Sequence, residues 1–436
     1  MASADGAALT PQTSAGEAAG RKRRKELPRE SLGILGDRHP GFDPLDCLAA
    51  QSADRVPSLL PLRDERMAET PFTFLRGAAA VMAYDLAMTP NSGIETQLCG
   101  DAHISNFGIF SSPERRLVFD VNDFDETMRG PFEWDVKRLC ASAAVALSNL
   151  GGDEKLVAKA VRRAAGTYAE AMRQLAGQGN LDVWYLSLDI EEHLDELRSD
   201  FTDEAGSRVD DLIARARRKD SHRAFSKLVG LEGGSLRFRA DPPLVVPMDE
   251  ILAEEERSES TREVLEIALD GYAASLPEER RALLSTYDHV DMARKVVGVG
   301  SVGTRCFIIL LLGRDTNDPL VLQAKQASPS VLEAHLGPDH HATSGERVIV
   351  GQRMMQTTPD VFLGEFRAQI TTELQRDFYF RQLYDGKASV DLDRISSGEL
   401  AVRYVQLCAW TLARAHARSG SRAEIAAYIG GSKAFE

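Results

Sequence analysis

The segment GDAHISNFGIFSSPERRLVFDVNDFDE, from Gly100 to Glu126, places acidic and amide side chains between apolar runs. Apolar residues pull the backbone into a core, so the neighbouring carboxylates become half-buried and need partners, of which a divalent metal is the commonest. The run from Leu117 to Val121 predicts a short buried strand that contains Asp120. Asn122 and Asp123 then leave its C-terminal end as a loop, where side chains face a cleft. We therefore expect the chemistry of the protein to lie in this segment.

The composition limits the classes of protein and partner. A chain of 436 residues can bury a large core and is expected to form two lobes. The formal net charge of -14 argues against nucleic acid or an anionic membrane as the main partner, because both need a basic face. No apolar run reaches membrane-spanning length and the N-terminus lacks a signal-peptide core, so we expect a soluble, cytoplasmic protein without a membrane partner. The five cysteines form no CxxC pair and are expected to be reduced, buried thiols.

Changes in composition and in hydrophobic periodicity divide the chain into four regions. Residues 1–40 are rich in small and charged residues and are expected to be a disordered tail. Residues 41–240 are expected to form a mostly helical catalytic lobe, residues 241–357 a nucleotide-binding lobe with an antiparallel sheet, and residues 358–436 C-terminal helices that return to the helical lobe. Helices are expected at residues 71–88, 131–150, 154–174, 191–198, 203–218, 258–274, 277–286, 365–383 and 400–417. The predicted fold class is α+β.

A three-stranded antiparallel meander is predicted in the second lobe, at residues 293–299, 304–312 and 320–326. Its first two strands flank the sequence GVGSVG, in which Gly298, Gly300 and Gly303 form a GxGxxG pattern. In a dinucleotide site this pattern opens a helix, whereas here a strand follows, so the glycines lie in a hairpin tip. Bare backbone amides at such a tip approach a polyphosphate, as in the glycine loop of protein kinases.

Lys325 lies on the third predicted strand between apolar neighbours. A buried lysine is costly unless it pairs with an anion, and a phosphate or a carboxylate is the natural partner. Glu333, on a short helix predicted at residues 329–335, is the nearest candidate carboxylate. The alternative is that Lys325 lies on an edge strand with its ammonium group in water.

The segment RVIVGQRMMQ, from Arg347 to Gln356, is predicted as a further strand that runs into a polar stretch. It lies where the hinge between the lobes of a nucleotide kinase would lie. Its backbone around Gln352 would then bond to adenine, with Met354 and Met355 packed on the ring. The alternative is that the methionines belong to the core.

Each part of an ATP phosphotransferase is therefore expected, but in rotated order. In kinases the glycine loop and the lysine precede the catalytic and metal loops. Here the segment at residues 101–123 comes first and the segment at residues 298–356 follows. Joining the C-terminus to the N-terminal region restores the usual order, and termini that meet near the lobe junction make this feasible. We therefore predict a protein-kinase-like two-lobe fold that is circularly permuted.

Long motifs of the chain resemble a bacterial family, the domain-of-unknown-function family numbered 2252. The motifs are TPFTFLRG at residues 70–77, GDAHISNFG at 100–108, FDVNDFDE at 119–126, PFEWDVKRL at 131–139, GVGSVGTRC at 298–306 and TLARAHARSG at 411–420. The resemblance covers about residues 43–420. That family is grouped with the protein-kinase-like superfamily, so the resemblance implies a kinase-like fold.

The acidic segment also resembles the HGDxHxxN loop of aminoglycoside and choline kinases. The resemblance implies that Asp101 is the catalytic base, that His103 orients the loop and that Asn106 holds magnesium. Asp123, near the end of the following strand, would be the metal-binding aspartate of those kinases, with Asp120 as the competing choice.

The predicted function is transfer of the γ-phosphoryl group of ATP to a hydroxyl of a small molecule, with magnesium as cofactor. The three glycines would cover the phosphates, and Lys325 would hold them, braced by Glu333; catalysis would rest on positioning and charge neutralisation. The helices from Gly151 to Arg239 would shape the acceptor site, by analogy with small-molecule kinases. The alternatives are a nucleotide-binding pseudokinase or regulatory module, a protein-modifying kinase or AMP transferase, and a metal-dependent phosphohydrolase.

Overall fold

The computed structural model describes residues 10–190, 213–214, 217, 221–254, 261–369, 374–383, 388–389 and 397–436. These residues form an α+β fold, in agreement with the predicted class. The helices predicted at residues 191–198 and 203–218 lie outside the described residues, except for residues 213, 214 and 217, which are helical. Within the described part of the chain, no helix is long and apolar enough to cross a membrane.

The helices and strands are numbered in chain order. The helices are α1 (Pro11–Glu26), α2 (Pro44–Ser52), α3 (Leu60–Ala68), α4 (Pro71–Gly77), α5 (Ala79–Ala87), α6 (Glu133–Asn149), α7 (Glu154–Ala176), α8 (Asn180–Tyr185), α9 (Ser221–Leu228), α10 (Met248–Glu254), α11 (Thr261–Ser275), α12 (Glu278–Leu284), α13 (Glu333–Leu336), α14 (Ser344–Met355), α15 (Gly398–Ser419) and α16 (Arg422–Ile429). The strands are β1 (Glu95–Leu98), β2 (Phe107–Ser111), β3 (Leu117–Val121), β4 (Met128–Pro131), β5 (Val229–Glu232), β6 (Ser235–Phe238), β7 (Val245–Pro247), β8 (Asp288–Lys295), β9 (Cys306–Leu312), β10 (Pro319–Ala327), β11 (Gly364–Gln369), β12 (Gln375–Gln382) and β13 (Ala388–Ser389).

The helical region is built around α15, which packs along α7 and also contacts α6. Ser397 caps α15 by accepting a hydrogen bond from the backbone N–H of Leu400. Its apolar side, which includes Leu412, joins the buried core that also holds Tyr168 of α7. The helices predicted at residues 131–150, 154–174 and 400–417 are confirmed, with ends that differ by at most two residues.

The acidic segment forms a hairpin beside this core. β2 and β3 pair antiparallel, with Phe107 opposite Val121, and every residue of β3 is buried. β1 and β4, which precede and follow the hairpin in sequence, pair antiparallel in a second small ladder. The predicted strand from Leu117 to Val121 is confirmed with its bounds, and the acidic loop after it connects one ladder to the other.

A six-stranded antiparallel sheet forms the core of the second region, in the strand order β11-β12-β10-β9-β8-β7. The predicted meander is present as β8, β9 and β10, but its first strand, predicted at residues 293–299, lies at Asp288–Lys295, and residues 296–299 belong to the loop. All nine residues of the interior strand β10 are buried. Lys325 on this strand stands opposite Cys306 of β9 and Tyr379 of β12, so the edge-strand alternative is wrong.

Residues 347–356, predicted as a strand, lie in helix α14. Thr343 caps this helix by accepting a hydrogen bond from the backbone N–H of Glu346. The β-branched run from Val348 to Val350 favours a strand locally, but the buried residues Val348, Gln352 and Met355 recur at helical spacing. Packing against β11 and β12 therefore decides the element, and the predicted hinge strand is wrong.

Residues 365–383, predicted as a helix, instead contain strands β11 and β12. The two strands pair with each other, with Phe366 opposite Phe378. β12 also pairs with β10, which places it inside the sheet. Pairing with a strand more than fifty residues earlier in the chain is a non-local contact that the periodicity of this segment does not reveal.

The predicted helix at residues 71–88 is divided into two shorter helices, α4 and α5. The break falls at Ala78, whose backbone is not helical, with φ -114° and ψ 39°. Gly77 before it packs against Met67 so closely that a Cβ would lie 2.6 Å from the sulfur. The close contact with α3 therefore redirects the chain at this point.

The N-terminal tail is not disordered over residues 11–26, which form helix α1 packed along α16. This segment has little to bury, which is why the sequence predicted disorder. The contact depends instead on close approach of the two backbones at Gly20. A Cβ on Gly20 would overlap the carbonyl oxygen of Glu424 and lie 2.9 Å from the Cβ of Ala427.

We expect Gly20→Ala to weaken the contact between α1 and α16, because overpacking of this kind costs roughly 1–3 kcal/mol. Limited trypsin digestion measures the effect, since a detached α1 exposes the basic run from Arg21 to Lys25 to cleavage. Gly33→Ala is the matched control, because a Cβ there meets no atom within 4 Å. Equal cleavage rates for the two variants would contradict this expectation.

Candidate active site

One cavity of about 400 Å³ brings together three parts of the chain that are far apart in sequence. Its lining includes Arg55 and Arg76 from the N-terminal helical region, Asp101, His103, Asn106, Asp123, Asp125 and Glu126 from the acidic segment, and Gly298, Gly300 and Ser301 from the loop between β8 and β9. The volume falls in the range of roughly 300–1,000 Å³ that is typical of small-molecule and cofactor sites. The acidic segment and the glycine loop, predicted to act together, are therefore adjacent.

Asp101 is held at the cavity wall by Arg138 of α6. The Nε atom of Arg138 donates to Oδ1 of Asp101 at 2.7 Å, and its guanidinium also donates to the carbonyl oxygen of Leu75. Asp135, in the first turn of α6, accepts hydrogen bonds from the backbone N–H groups of Cys99 and Gly100. The N-terminal half of α6 therefore fixes both the loop and its carboxylate.

Asn106 and His103 lie beside Asp101. The Nδ2 atom of Asn106 donates to the carbonyl oxygen of Asp101 at 2.8 Å, so its side-chain oxygen is the atom able to ligate a cation. His103 is buried, and its Nε2 atom lies 3.7 Å from Oδ2 of Asp101. The structure thus places the three residues of the predicted catalytic loop together, while their roles stay predictions.

Asp120 does not reach the cavity. It is buried, and its Oδ1 atom accepts hydrogen bonds from Arg414 of α15 and from the backbone N–H of Val121. Asp123, two residues beyond the end of β3, lines the cavity instead. Of the two aspartates proposed for the metal, the geometry therefore favours Asp123, and Asp120 joins β3 to α15.

Lys325 reaches from β10 into the acidic loop. Its Nζ atom forms an ion pair with Asp125 and lies 3.6 Å from a carboxylate oxygen of Asp123. The hydroxyl of Tyr379 donates to Asp125 at 2.8 Å. Burial alone would lower the pKa of Lys325, but the charges of Asp123 and Asp125 outweigh it and raise that pKa well above its ordinary value.

Glu333, the predicted partner of Lys325, has a different role. Its Oε1 atom accepts a hydrogen bond from the backbone N–H of Ser330 at 2.9 Å, at the start of the turn that leads into α13. Glu126 accepts a second hydrogen bond in the same turn, from the backbone N–H of Val331 at 2.7 Å. The acidic loop thus supplies both the carboxylates that pair with Lys325 and a contact to the segment after β10.

The glycine loop lies against the N-terminal helical region. Arg55 donates to the carbonyl oxygens of Gly300 and Val302, at 2.8 and 2.5 Å. A Cβ on Gly300 would lie 2.9 Å from the carbonyl oxygen of Arg76, so only glycine permits this approach. Gly298 and Gly300 line the cavity, whereas Gly303 lies behind it, where its carbonyl oxygen accepts from the backbone of Val56.

Gln352 and Met354, predicted to hold adenine, lie outside this cavity. The side chain of Gln352 donates to Gln356 within the C-terminal turn of α14. The carbonyl oxygen of Met354 accepts a hydrogen bond from Arg418 of α15. Because residues 347–356 are helical, their backbone is committed to the helix and to α15, and the predicted adenine contacts are wrong.

Three arginines of the site carried no local signal in the sequence. Arg55, Arg76 and Arg138 come from α2–α3, α4 and α6, and each contacts or lines the cavity only through the tertiary fold. Arg76 and Arg138 do fall within the quoted motifs TPFTFLRG and PFEWDVKRL, which gave them no role. Asp125 was visible as an acidic residue after β3, but its pairing with Lys325 was not.

Two titratable groups of the cavity, His103 and Glu126, make folding stability depend on pH in opposite directions. Burial lowers the pKa of His103 to about 4, against the opposing charge of Asp101, and burial raises the pKa of Glu126 to about 7. Between pH 4.5 and 6.5, unfolded His103 binds a proton that the folded protein excludes, so its contribution to stability rises with pH. Folded Glu126 keeps a proton that the unfolded chain releases, so its contribution falls over the same window.

We therefore expect the two substitutions to change the pH profile in opposite directions. From pH 4.5 to 6.5, Glu126→Gln gains stability relative to the wild type and His103→Asn loses it. Each change is about 2 kcal/mol, because one pKa unit corresponds to about 1.4 kcal/mol. Urea unfolding midpoints at three pH values measure the profiles, and parallel profiles for the two variants would contradict the assignment.

Among the described residues, one group of three potential metal ligands has its ligand atoms within 4.8 Å of one another, namely Asp339, His340 and His341. It lies outside the cavity, in consecutive residues before α14. Lys325 does not line the cavity, but it pairs with Asp125 and lies 3.6 Å from Asp123, both of which do. A cation at Asp123 therefore depends on ligands that the bound substrate brings.

The comparisons with known proteins identify the family. Residues 55–436 match the model of the family described as "Uncharacterized protein conserved in bacteria (DUF2252)". The chain belongs to this bacterial family, which confirms the resemblance seen in its motifs. No curated protein and no solved structure matches the chain significantly.

Proposed function

We propose that the protein is an ATP- and magnesium-dependent phosphotransferase with a circularly permuted kinase-like fold, acting on a hydroxyl of a small molecule. One observation carries the proposal. The cavity joins the acidic segment to the glycine loop, and Lys325 connects the two regions through its pairs with Asp123 and Asp125. Two segments about 200 positions apart in sequence thus meet at one cavity, which supports a site of the kind expected for phosphoryl transfer.

The order of elements in the sheet supports a kinase-like nucleotide lobe. The glycine loop joins the first two strands of the meander, and the lysine lies on the third. Helix α14 follows and packs on the same sheet, as the helix after the lysine strand does in protein kinases. The chain departs from that pattern in the partner of the lysine, which comes from the acidic loop and not from the helix.

The first and last helices of the described part of the chain, α1 and α16, are in contact, which supports the permutation. The carbonyl oxygen of Leu27 accepts a hydrogen bond from the hydroxyl of Tyr428, and Arg29 donates to the carbonyl oxygen of Ile429. Helix α1 packs along helix α16. Termini in contact can be joined and reopened elsewhere without changing the fold.

The donor set at the cavity fits magnesium. Asp123 supplies a carboxylate and Asn106 an amide oxygen, and magnesium takes oxygen ligands from one or two carboxylates together with substrate phosphates. When bound, the ion would neutralise negative charge on the phosphates. Gly298 and Gly300 would present backbone amides to the phosphates. Asp101, fixed through Oδ1 by Arg138, would accept the proton of the acceptor hydroxyl through Oδ2.

A thermal-shift titration with ATP, with and without magnesium, tests the proposal. Ligand that binds the folded state at 100 times its dissociation constant stabilises by about 2.7 kcal/mol, which raises the melting temperature by several degrees. We expect a magnesium-dependent shift in the wild type that Asp123→Asn abolishes. Asp270→Asn, an exposed aspartate on α11, is the matched control and keeps the shift.

Transfer is then tested with γ-labelled ATP and a panel of small hydroxyl compounds. The proposal expects label in a product with the wild type and none with Asp101→Asn. No thermal shift with any nucleotide would contradict the proposal. A shift without label transfer, to a small molecule or to protein, would favour the second candidate, a regulatory nucleotide-binding module. One observation favours that candidate. Lys325 already pairs with two aspartates, so its ammonium group is not open to a ligand.

A further inference from the structure

Arg76 is a half-buried cation for which the described residues offer no hydrogen-bonding or ion-pairing partner. Among the residues that the structure describes, none accepts a hydrogen bond from its guanidinium or forms an ion pair with it, and its Nε atom is buried and unpaired. Its one aromatic contact is the ring of Phe72, whose centroid lies 6.0 Å from Cζ. Burial lowers the pKa of Arg76, so the cost of burying the charge is not repaid within the protein. A cation held in this way fits an anionic ligand.

The position of Arg76 relates it to the other parts of the cavity. Its own carbonyl oxygen lies against Gly300, so the residue borders the glycine loop. The carbonyl oxygen of the preceding Leu75 accepts a hydrogen bond at 2.7 Å from Arg138, the residue that holds Asp101. The charges of Asp101 and Asp123 both act on the Arg76 guanidinium. Arg76 therefore lies among the glycine loop, the proposed base and the proposed metal ligand.

A terminal phosphate would occupy the space among these three features. In the proposed complex the glycine loop would cover the phosphate chain, a cation held by Asp123 would bind phosphate oxygens, and Asp101 would face the attacking hydroxyl. Arg55 is already committed to the carbonyl oxygens of the glycine loop, and Lys325 to the acidic loop. Of these three cations, Arg76 is the one free to bind a phosphate oxygen.

We propose that Arg76 binds the terminal phosphate of the nucleotide and neutralises its charge as the phosphoryl group is transferred. This inference rests on the proposed phosphotransferase function. The oxygen of the acceptor hydroxyl forms a bond to the γ-phosphorus, and the bond from that phosphorus to the bridging oxygen breaks. The electron pair of the broken bond stays with ADP, and the hydroxyl proton passes to Asp101 and then to water. Two guanidinium N–H groups suit the equatorial oxygens, on which charge is spread.

An unpaired buried charge also predicts a trade between stability and binding. Arg76→Met keeps the unbranched apolar stem of the side chain and removes the charged guanidinium, so we expect the ligand-free variant to melt at a higher temperature than the wild type. A residue whose role is purely structural would lower the melting temperature when replaced. This readout needs neither a substrate nor activity.

Isothermal titration in the presence of magnesium tests the phosphate contact. The ligands are a non-hydrolysable ATP analogue, ADP and inorganic tripolyphosphate, and the variants are Arg76→Gln, Arg76→Lys and the surface control Arg38→Gln. We expect Arg76→Gln to weaken binding of the ATP analogue and of tripolyphosphate by about 10- to 100-fold, since charge-assisted hydrogen bonds are strong. The affinity of Arg76→Gln for ADP is expected to change less than threefold. The affinity of Arg76→Lys for the ATP analogue is expected to lie between those of the wild type and Arg76→Gln, and Arg38→Gln is expected to bind all three ligands as the wild type does.

The remaining outcomes separate the inference from the proposed function. Wild-type protein that binds the ATP analogue, with Arg76→Gln unchanged or weakened equally for ADP, overturns the terminal-phosphate contact and leaves the phosphotransferase proposal intact. Protein that binds tripolyphosphate but no nucleotide, with the loss at Arg76→Gln, supports the phosphate contact and overturns the nucleotide. Wild-type protein that binds none of the three ligands overturns both.

Discussion

Lys325→Met is expected to lower the free energy of unfolding by about 3 kcal/mol. The lysine is buried on the interior strand β10, and its ammonium group neutralises Asp123 and Asp125. Removing one partner of a buried ion pair costs roughly 3–5 kcal/mol, because the other charge is left uncompensated. The two carboxylates are 30% and 28% exposed, which places the loss at the lower end of that range.

Urea unfolding measures this loss, and a second substitution identifies its cause. Lys325→Met with Asp125→Asn removes both the cation and one of its anions, so we expect the double variant to be less destabilised than the sum of the two single variants. Lys295→Met on strand β8 of the same sheet, which β9 separates from β10, is the matched control. Burial lowers the pKa of Lys295, so replacing that lysine is expected to leave stability unchanged or to raise it. A loss at Lys325→Met below about 0.5 kcal/mol, at the level of an ordinary surface substitution, would show that the pair does not hold the two regions together.

Asp120→Asn is expected to destabilise the protein by about 3 kcal/mol without changing its affinity for magnesium nucleotide. The Asp120 and Arg414 side chains are 5% and 2% exposed, and their ion pair joins β3 to α15. Asparagine leaves the Arg414 charge buried without a counter-charge, which carries the cost of a broken buried pair. Asp123→Asn is expected to behave in the opposite way, with a small effect on stability and complete loss of the magnesium-dependent shift.

The contrast between the two aspartates checks the assignment of the metal ligand. Urea unfolding and titration with the ATP analogue are made on both variants, at a temperature where Asp120→Asn remains folded. Arg414→Met is expected to reproduce the instability of Asp120→Asn, because it breaks the same pair from the other side. Loss of nucleotide binding in a fully stable Asp120→Asn variant would contradict this account and return the metal to Asp120.

The elements that the sequence predicted well are those fixed by local patterns. β3 was found with its bounds because Leu117 to Val121 is an apolar run, interrupted only by Asp120 and bounded by polar turns. The glycine loop was placed in a hairpin because the apolar run of β9 follows the glycines directly, although β8, which is rich in charged residues, begins five residues before its predicted position. The long helices α6, α7 and α15 carry a helical period over several turns.

The elements that were wrong are those whose type is decided by distant partners. α14 contains the β-branched run from Val348 to Val350, and the sheet on which it packs makes it a helix. β11 and β12 become strands because they complete the sheet beside β10. α1 was taken for a disordered tail because its packing uses Gly20 and the backbone of α16, which leaves no apolar signature.

The residues of the candidate site also divide into those that local motifs reveal and those that only the tertiary fold brings together. Asp101, Asn106, Asp123 and the loop glycines could be selected from motifs because the chemistry needs those residue types at close spacing in the chain. The partner of Lys325 was assigned to Glu333 by proximity in sequence, whereas the structure brings Asp125 to it from 200 positions away. Arg76 and Arg138 have no distinguishing local context, since an arginine on an amphipathic helix is usually exposed.

The central claim is that the acidic segment and the glycine loop form one site for magnesium nucleotide, and metal-specific diffraction tests it most directly. Crystals grown with manganese and a non-hydrolysable ATP analogue are measured at a wavelength where manganese scatters anomalously. We expect a peak within about 2.1 Å of a carboxylate oxygen of Asp123 and of the side-chain oxygen of Asn106. The triphosphate is expected to lie between that ion and Gly300. A peak at Asp339 and His341 in its place, or a cavity without triphosphate, would contradict the account.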